Sequence, residues 1–172
     1  MNFYDYIAIR EDWPKEGISF KDITPLLQDK DAFNLAIEEM IKPFKNQKID
    51  KVICADARGF IVGAPLAVKI GAGLAIARKP NKLPYVEYRE EYSLEYGTNV
   101  LEIPPHAVNK GENVLVVDDL LATGGSAVAL TKLTEEAGGN VVGYSFLVEL
   151  TGLKGKDKFN KVPVFSLIKY EF

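Results

Sequence analysis

The sequence is poor in several residue types, and each shortage excludes a class of protein. Cys54 is the only cysteine among 172 residues, so no disulfide can form within the chain, as is usual in a reducing compartment. Lysine and arginine total 21 against 24 acidic residues, a formal net charge of −3 that disfavours a nucleic-acid-binding protein. The longest apolar run, residues 59–68, includes Pro65 and is too short to cross a bilayer. We therefore expect a soluble, cytoplasmic protein that binds neither nucleic acid nor a membrane.

The chain has the size and composition of one globular domain. Hydrophobic residues make up 47% and charged residues 26%, a balance that supports a packed core rather than disorder. No internal repeat and no linker rich in serine, glycine or proline divides the sequence. We predict a single domain over residues 1–172, from which residues 79–105 project as a flap because they are polar, aromatic and unusually long for a connection.

Apolar patterning predicts alternating strands and helices. Helical spacing of apolar side chains covers residues 31–47, and two glycines end a second predicted helix at residues 60–70. Short apolar runs predict buried strands at 52–55, 74–77, 113–117 and 141–148, a helix at 126–137, and an edge strand at 164–168. This order is typical of an α/β fold, with an open, mainly parallel twisted sheet flanked by helices.

The most informative stretch is VLVVDDLLATGGS, residues 114–126. An apolar strand runs into Asp118 and Asp119, and a loop through residues 120–122 then leads to Thr123-Gly124-Gly125-Ser126 at the start of a helix. Ligands of open parallel sheets bind beyond the carboxyl ends of the strands, where these residues fall. Glycines allow a close backbone approach, and the unpaired N–H groups of a helix N-terminus favour an anion.

The same stretch predicts a particular kind of ligand. The glycine-rich loop suits one phosphate monoester, whereas Asp118 and Asp119 suit neighbouring hydroxyl groups or hydrated magnesium. A phosphate with vicinal hydroxyls nearby is a ribose 5-phosphate. Competing phosphate motifs fail, because the chain has no G-x-x-x-x-G-K-[ST] sequence and Ile76 stands where a dinucleotide fingerprint needs its third glycine.

Residues 114–126 resemble the phosphoribosyl pyrophosphate motif of type I phosphoribosyltransferases. Further segments resemble the adenine-specific members of that family, in family order along nearly the whole chain: GISFKDITPLL at 17–27, DARGF at 56–60, RKPNKLP at 78–84, SLEYG at 93–97 and LVELTGLKG at 147–155. The resemblance implies transfer of a phosphoribosyl group from phosphoribosyl pyrophosphate to adenine, giving AMP and pyrophosphate in purine salvage. It also implies a homodimer.

The resemblance assigns roles to matching positions. Asp118 and Asp119 would engage the ribose hydroxyls and organise magnesium, which the substrate and water hold for the most part, so no direct protein ligand of the metal is expected. A loop of five residues would bind the 5-phosphate: Ala122, Thr123, Gly124, Gly125 and Ser126. Pyrophosphate would contact Asp56, Ala57, Arg58, Arg78, Lys79 and Lys82. The Asp56–Ala57 peptide bond would be cis, and Arg78 would act in the neighbouring subunit.

The base would be bound by the N-terminal segment, residues 1–30. The resemblance implies that Ser19 recognises adenine through its backbone, that Phe20 stacks on it, and that Lys21 and Arg58 lie beside it. Backbone hydrogen bonds suit the 6-amino group of adenine and would be mismatched by a 6-oxo purine. In the flap, Glu95 matches the glutamate placed to exchange a proton with the purine.

Two other functions are compatible with parts of the pattern. A phosphoribosyltransferase for hypoxanthine, guanine or xanthine would share the central motif but should lack the Ser19-Phe20 and SLEYG sequences. A regulator that senses phosphoribosyl pyrophosphate would also share it, but such proteins add a basic DNA-binding domain. The sequence alone assigns packing rather than chemistry to Cys54 in an apolar strand, to Trp13 beside Pro14, and to the flap tyrosines taken singly.

Overall fold

The computed structural model describes residues 1–94 and 97–171. Its strands are β1 (Ala8–Arg10), β2 (Phe20–Asp22), β3 (Lys51–Ala55), β4 (Gly73–Ala77), β5 (Tyr88–Leu94), β6 (Gly97–Ile103), β7 (Asn113–Leu121), β8 (Asn140–Leu150) and β9 (Val164–Tyr170). Its α-helices are α1 (Thr24–Gln28), α2 (Lys30–Ile41), α3 (Arg58–Ile70) and α4 (Gly125–Glu136). Short 3₁₀ helices lie at Phe3–Tyr6, Lys42–Phe44, Thr151–Leu153 and Gly155–Lys158.

Five strands form a parallel sheet in the order β4-β3-β7-β8-β9. Strand β7 lies at its centre, and its run from Val114 to Val117 is fully buried because helices cover both faces of the sheet. The predicted α/β architecture is therefore confirmed, and β9 is the edge strand that the sequence predicted.

The sheet divides the core into two layers, and helices cover the layer on each face. On one face α2 and α3 bury apolar side chains such as Ile37, Met40 and Leu66 against the sheet. On the other face Leu130 and Leu133 of α4 pack with Leu101 and Ile103 of the β5–β6 hairpin. The hairpin is thus attached to the domain through α4.

Several boundaries differ from the sequence predictions. The predicted helix over residues 31–47 ends as an α-helix at Ile41, because Pro43 follows and the chain tightens into the 3₁₀ turn Lys42–Phe44. Strand β7 continues through Leu121, so residues 120 and 121 are strand rather than loop. The antiparallel β1–β2 pair was not predicted, because three-residue strands carry too little periodicity to detect.

Within residues 79–105, β5 and β6 form a two-stranded antiparallel hairpin, with Tyr88 opposite Ile103 and Tyr92 opposite Asn99. A loop through residues 79–87 leads into it. Among the described residues, no helix has the length and apolar content needed to cross a membrane.

Candidate active site

Two neighbouring carboxylates lie near the carboxyl end of the central strand, and both are buried. The Ser126 hydroxyl donates to Asp118 Oδ2 at 3.0 Å, and the Asp119 backbone N–H donates to Asp118 Oδ1 at 2.9 Å. Arg58 Nε lies 3.1 Å from Asp119 Oδ2. Burial, reinforced by the negative charge of Asp119, raises the pKa of Asp118 well above its usual range. Asp119 is the carboxylate with a cationic partner.

The loop after β7 depends on a glycine whose backbone conformation other residues rarely adopt. Gly124 has φ +89° and precedes the first residue of α4 without a side-chain cap. The first N–H groups of α4 therefore have no helical partner, which makes this end of the helix suitable for an anion. All five predicted phosphate-binding residues, 122 to 126, line one cavity with Asp118 and Asp119.

The turn from β3 into α3 forms the opposite wall of that cavity. The Asp56–Ala57 peptide bond is cis, as the resemblance implied. Asp56, Ala57, Arg58 and Gly59 all line the cavity. Gly59 is required there by close approach, because a Cβ atom at this position would lie 2.9 Å from Asp118 Oδ1.

The basic residues predicted to bind pyrophosphate do not all lie in the cavity. Lys79 lines the cavity with Arg58. Arg78 Nε lies 3.2 Å from Asp56 Oδ2 in the same chain, and its backbone pairs with Glu102 of β6. Lys82 is exposed on the loop before the β5–β6 hairpin and is not part of the cavity lining.

The hairpin closes a third side of the cavity through Tyr92 and Asn99, two residues that sequence reasoning did not assign to the site. A Cβ atom at Gly125 would lie 3.0 Å from the Ser93 carbonyl oxygen and 3.3 Å from Tyr92 Cδ2, so the hairpin rests directly on the loop of residues 122–126. Burial raises the pKa of Tyr92, the Asn99 hydrogen bond lowers it, and the charge of Asp118 raises it further. Glu95 lies outside the described residues.

The N-terminal residues predicted to bind the base lie beside the cavity rather than in its lining. The Phe20 ring is 5.7 Å from Arg58 Cζ, which connects it to the cavity wall. Trp13 packs edge-on against Phe20 with ring centroids 4.8 Å apart. The Ser19 hydroxyl donates to Glu11 and accepts from Lys21 Nζ, and Lys21 also lies over the Tyr170 ring.

The cavity has a volume of about 300 Å³ and joins three kinds of chemistry. It offers backbone N–H groups for a phosphate, buried carboxylates for hydroxyl groups, and the cations of Arg58 and Lys79 for a second anion. Among the described residues, no group of three or more histidine, cysteine or acidic side chains is arranged to hold a metal ion. Carboxylate oxygens are the kind of ligand that magnesium prefers, and those of Asp118 and Asp119 are engaged here by Ser126 and Arg58.

The cavity residues that were not predicted differ in how much the sequence indicated about them. Tyr92 belongs to the aromatic series of the flap, whose single members were assigned to packing; Tyr92 both packs on the loop and lines the cavity. Asn99 has no sequence signal of its own, because only the hairpin register brings it opposite Tyr92. Gly59 was within the quoted DARGF segment, but its contact with Asp118 depends on how α3 packs against β7.

Comparison with known proteins agrees with this geometry. The profile of the phosphoribosyl transferase domain matches residues 23–172. The chain is 51% identical to the adenine phosphoribosyltransferase of Clostridium kluyveri over 171 residues, 99% of each protein. The crystal structure of adenine phosphoribosyltransferase from Thermoanaerobacter pseudethanolicus has a TM-score of 0.93 at 48% identity, covering 98% of each chain. The Saccharomyces cerevisiae enzyme, solved with D-2,5-dideoxy-2,5-imino-altritol 1,6-bisphosphate and adenine, has a TM-score of 0.89 at 37% identity over 96% of each chain. The chain belongs to the phosphoribosyl transferase domain family and, within it, to the adenine phosphoribosyltransferases.

Proposed function

We propose that this protein transfers the phosphoribosyl group of phosphoribosyl pyrophosphate to adenine, producing AMP and pyrophosphate, in the cytoplasm and as a homodimer. One observation carries the assignment: the phosphate loop, the two buried aspartates and two basic side chains converge on a single cavity, with Phe20 reaching it through Arg58. This is the arrangement that a ribose 5-phosphate carrying a second phosphate-containing group requires.

Each part of the cavity has a separate task in the proposed reaction. Residues 122 to 126 hold the 5-phosphate, and Asp118 and Asp119 accept hydrogen bonds from the ribose hydroxyls. The pyrophosphate is surrounded by Asp56, Ala57, Arg58 and Lys79 and by Lys82 from the loop before the β5–β6 hairpin, with Arg78 reaching the neighbouring subunit. Magnesium bound with the substrate would be organised by Asp118 and Asp119 and would neutralise charge on the departing pyrophosphate.

Bond exchange takes place at the anomeric carbon. The purine N9 forms a bond to that carbon while the bond to the pyrophosphate oxygen breaks, and positive charge develops on the ribose ring. Glu95 accepts the proton that the purine loses. The flap excludes water, because hydrolysis at this stage would consume the substrate without forming AMP.

Adenine specificity is assigned to the N-terminal segment. Ser19 presents its backbone groups to the 6-amino group, Phe20 stacks on the ring, and Lys21 and Arg58 flank the base. A 6-oxo purine would leave a carbonyl facing a carbonyl, which a buried hydrogen-bonding site rejects strongly.

The decisive experiment measures pyrophosphate release with magnesium, phosphoribosyl pyrophosphate and one base at a time: adenine, hypoxanthine, guanine or xanthine. We expect release with adenine alone. Release with an oxo-purine would retain the phosphate site but overturn the base assignment. Ligand binding without release with any base would favour a sensor of phosphoribosyl pyrophosphate.

A pair of serine variants tests the assigned cavity. Ser126→Ala removes the hydroxyl that donates to Asp118 and should raise the KM for phosphoribosyl pyrophosphate by a factor between about 10 and 10², the usual contribution of a hydrogen bond to a charged group. Ser145→Ala is the matched control, because its buried hydroxyl donates to the Met40 carbonyl far from the cavity. Equal KM values in the two variants would contradict the assignment.

A further inference from the structure

The segment LVELTGLKG, residues 147–155, distinguishes the adenine-specific family, yet none of its residues lines the cavity. It ends where the 3₁₀ turn Gly155–Lys158 begins, and Phe159 follows that turn. Residues 155–159, called here the supporting segment, contact residues 122–124 of the phosphate loop without lining the cavity. The contacts of this segment indicate what the end of the motif does in the structure.

Gly155 touches the loop backbone so closely that no side chain would fit. It is buried, and a Cβ atom there would lie 2.3 Å from the Ala122 carbonyl oxygen and 3.1 Å from the Thr123 carbonyl carbon. Because both of these atoms belong to the backbone of the phosphate loop, the clash could be relieved only by moving the loop or the segment.

The contact is reciprocal. A Cβ atom at Gly124 would lie 3.3 Å from the Gly155 carbonyl oxygen and 3.4 Å from Phe159 Cε2. The Phe159 ring therefore closes the gap behind the residue whose positive φ sets the shape of the loop.

The supporting segment is itself anchored to the unit that carries the loop. Phe159 is 7% exposed, and its ring centroid lies 4.3 Å from that of Tyr144 on β8. The Tyr144 hydroxyl lies 2.7 Å from Thr131 Oγ1 on α4, the helix that begins at the phosphate loop. Segment, strand and helix thus hold the loop from behind as one packed body.

We propose that Gly155 and Phe159 are positioning residues for the 5-phosphate: they fix the backbone of residues 122–124, so that its N–H groups are aimed before the substrate arrives. This inference rests on the proposed function of the loop. Its physical basis is that displacement of preorganised donors by even about 1 Å can reduce catalysis by a factor on the order of 10².

The test compares two glycine variants with equally close clashes. Gly155→Ala presses on the phosphate loop, whereas Gly143→Ala would place a Cβ atom 2.3 Å from Phe44 Cε1 in the core, away from the cavity. Both should lower the melting temperature. Only Gly155→Ala should raise the KM for phosphoribosyl pyrophosphate, by about tenfold or more, while the KM for adenine at saturating phosphoribosyl pyrophosphate stays within about twofold of the parent.

Phe159→Leu keeps apolar volume but removes the ring contact, so it decides the matter if Gly155→Ala does not fold. It should raise the same KM by about threefold, because leucine still fills much of the space. Calorimetric binding of ribose 5-phosphate, which requires no turnover, should weaken in parallel. This measurement separates failure of the positioning role from failure of the proposed reaction, which would appear as an inactive parent protein. Unchanged ribose 5-phosphate affinity in a folded variant, or an equal KM change in Gly143→Ala, would overturn the inference.

Discussion

Replacing Asp118 by asparagine should stabilise the ligand-free protein while reducing its activity. Asp118 is buried, and burial together with the charge of Asp119 raises its pKa well above the usual range. Asparagine has the same shape, can still accept from the Asp119 N–H, and can donate to the Ser126 hydroxyl. The substitution therefore removes a costly charge and leaves its hydrogen-bonding positions filled.

The size of the gain follows from the pKa. Each unit by which the folded pKa exceeds the unfolded one corresponds to about 1.4 kcal/mol. For a chain of this length, that amount changes the melting temperature by about 3–6 °C. A carboxyl with a raised folded pKa costs no stability below its unfolded pKa, and the cost appears as pH rises from there through the folded pKa. The advantage of Asp118→Asn should thus be full at alkaline pH and vanish below pH of about 4.

The assay is thermal unfolding at a series of pH values, without magnesium or substrate, alongside steady-state kinetics at neutral pH. We expect a higher melting temperature and a kcat/KM reduced by about a hundredfold, as for loss of a group that acts in a desolvated site. A melting temperature equal to or below that of the parent at pH 8, or a gain that persists at pH 3.5, would refute the reasoning.

Three further outcomes are expected. Glu95→Gln should lower kcat much more than it weakens phosphoribosyl pyrophosphate binding, and unchanged turnover in steady-state assays would remove its proton-transfer role. Adenine stacked on Phe20 should change the fluorescence of Trp13, the only tryptophan, because the Trp13 ring contacts Phe20. Phe20→Ala should abolish this change, and a response that survives in the variant would contradict the stacking site. The hydrogen bond to Glu90, with a smaller contribution from burial, raises the pKa of Glu136 to about 7. The contact between the flap and α4 should therefore be fully formed below the pKa that Glu136 has in the unfolded chain, and it should weaken as the pH rises through 7. Hydrogen exchange of the flap amides should report that loosening, and Glu136→Gln should remove its pH dependence.

The parts of the fold that the sequence predicted are those with long, repeated patterns. The run from Val114 to Val117 indicated a central strand because it is apolar on both faces, and the glycines after residue 70 marked the end of α3. By contrast, β1 and β2 have three residues each, with every residue of β1 exposed. Their pairing depends on contacts with the rest of the N-terminal segment, which no local pattern encodes.

The same distinction holds for the site. Residues 118–126 are contiguous in sequence, so the sequence alone predicted that their side chains and backbone groups would lie together. Tyr92, Asn99 and Gly59 come from other elements and enter the cavity only through hairpin register and helix packing. The contact between Glu90 and Glu136 had no sequence signal, because only the packing of β5 against α4 brings these two acids together.

The placement of the site implies where motion can occur during turnover. The phosphate loop is joined to the central strand, to α4 and to the supporting segment, so moving it would disturb the core. The β5–β6 hairpin and the β1–β2 pair are each two-stranded sheets separate from the five-stranded one, and every residue of β1 is exposed. Regions with few buried contacts open at lower free energy than the core. We therefore expect any opening and closing during turnover to occur at the sides of the cavity formed by these two smaller sheets rather than at residues 122–126. With the roles proposed above, a substrate held by residues 122–126 would remain aligned while adenine enters and AMP forms.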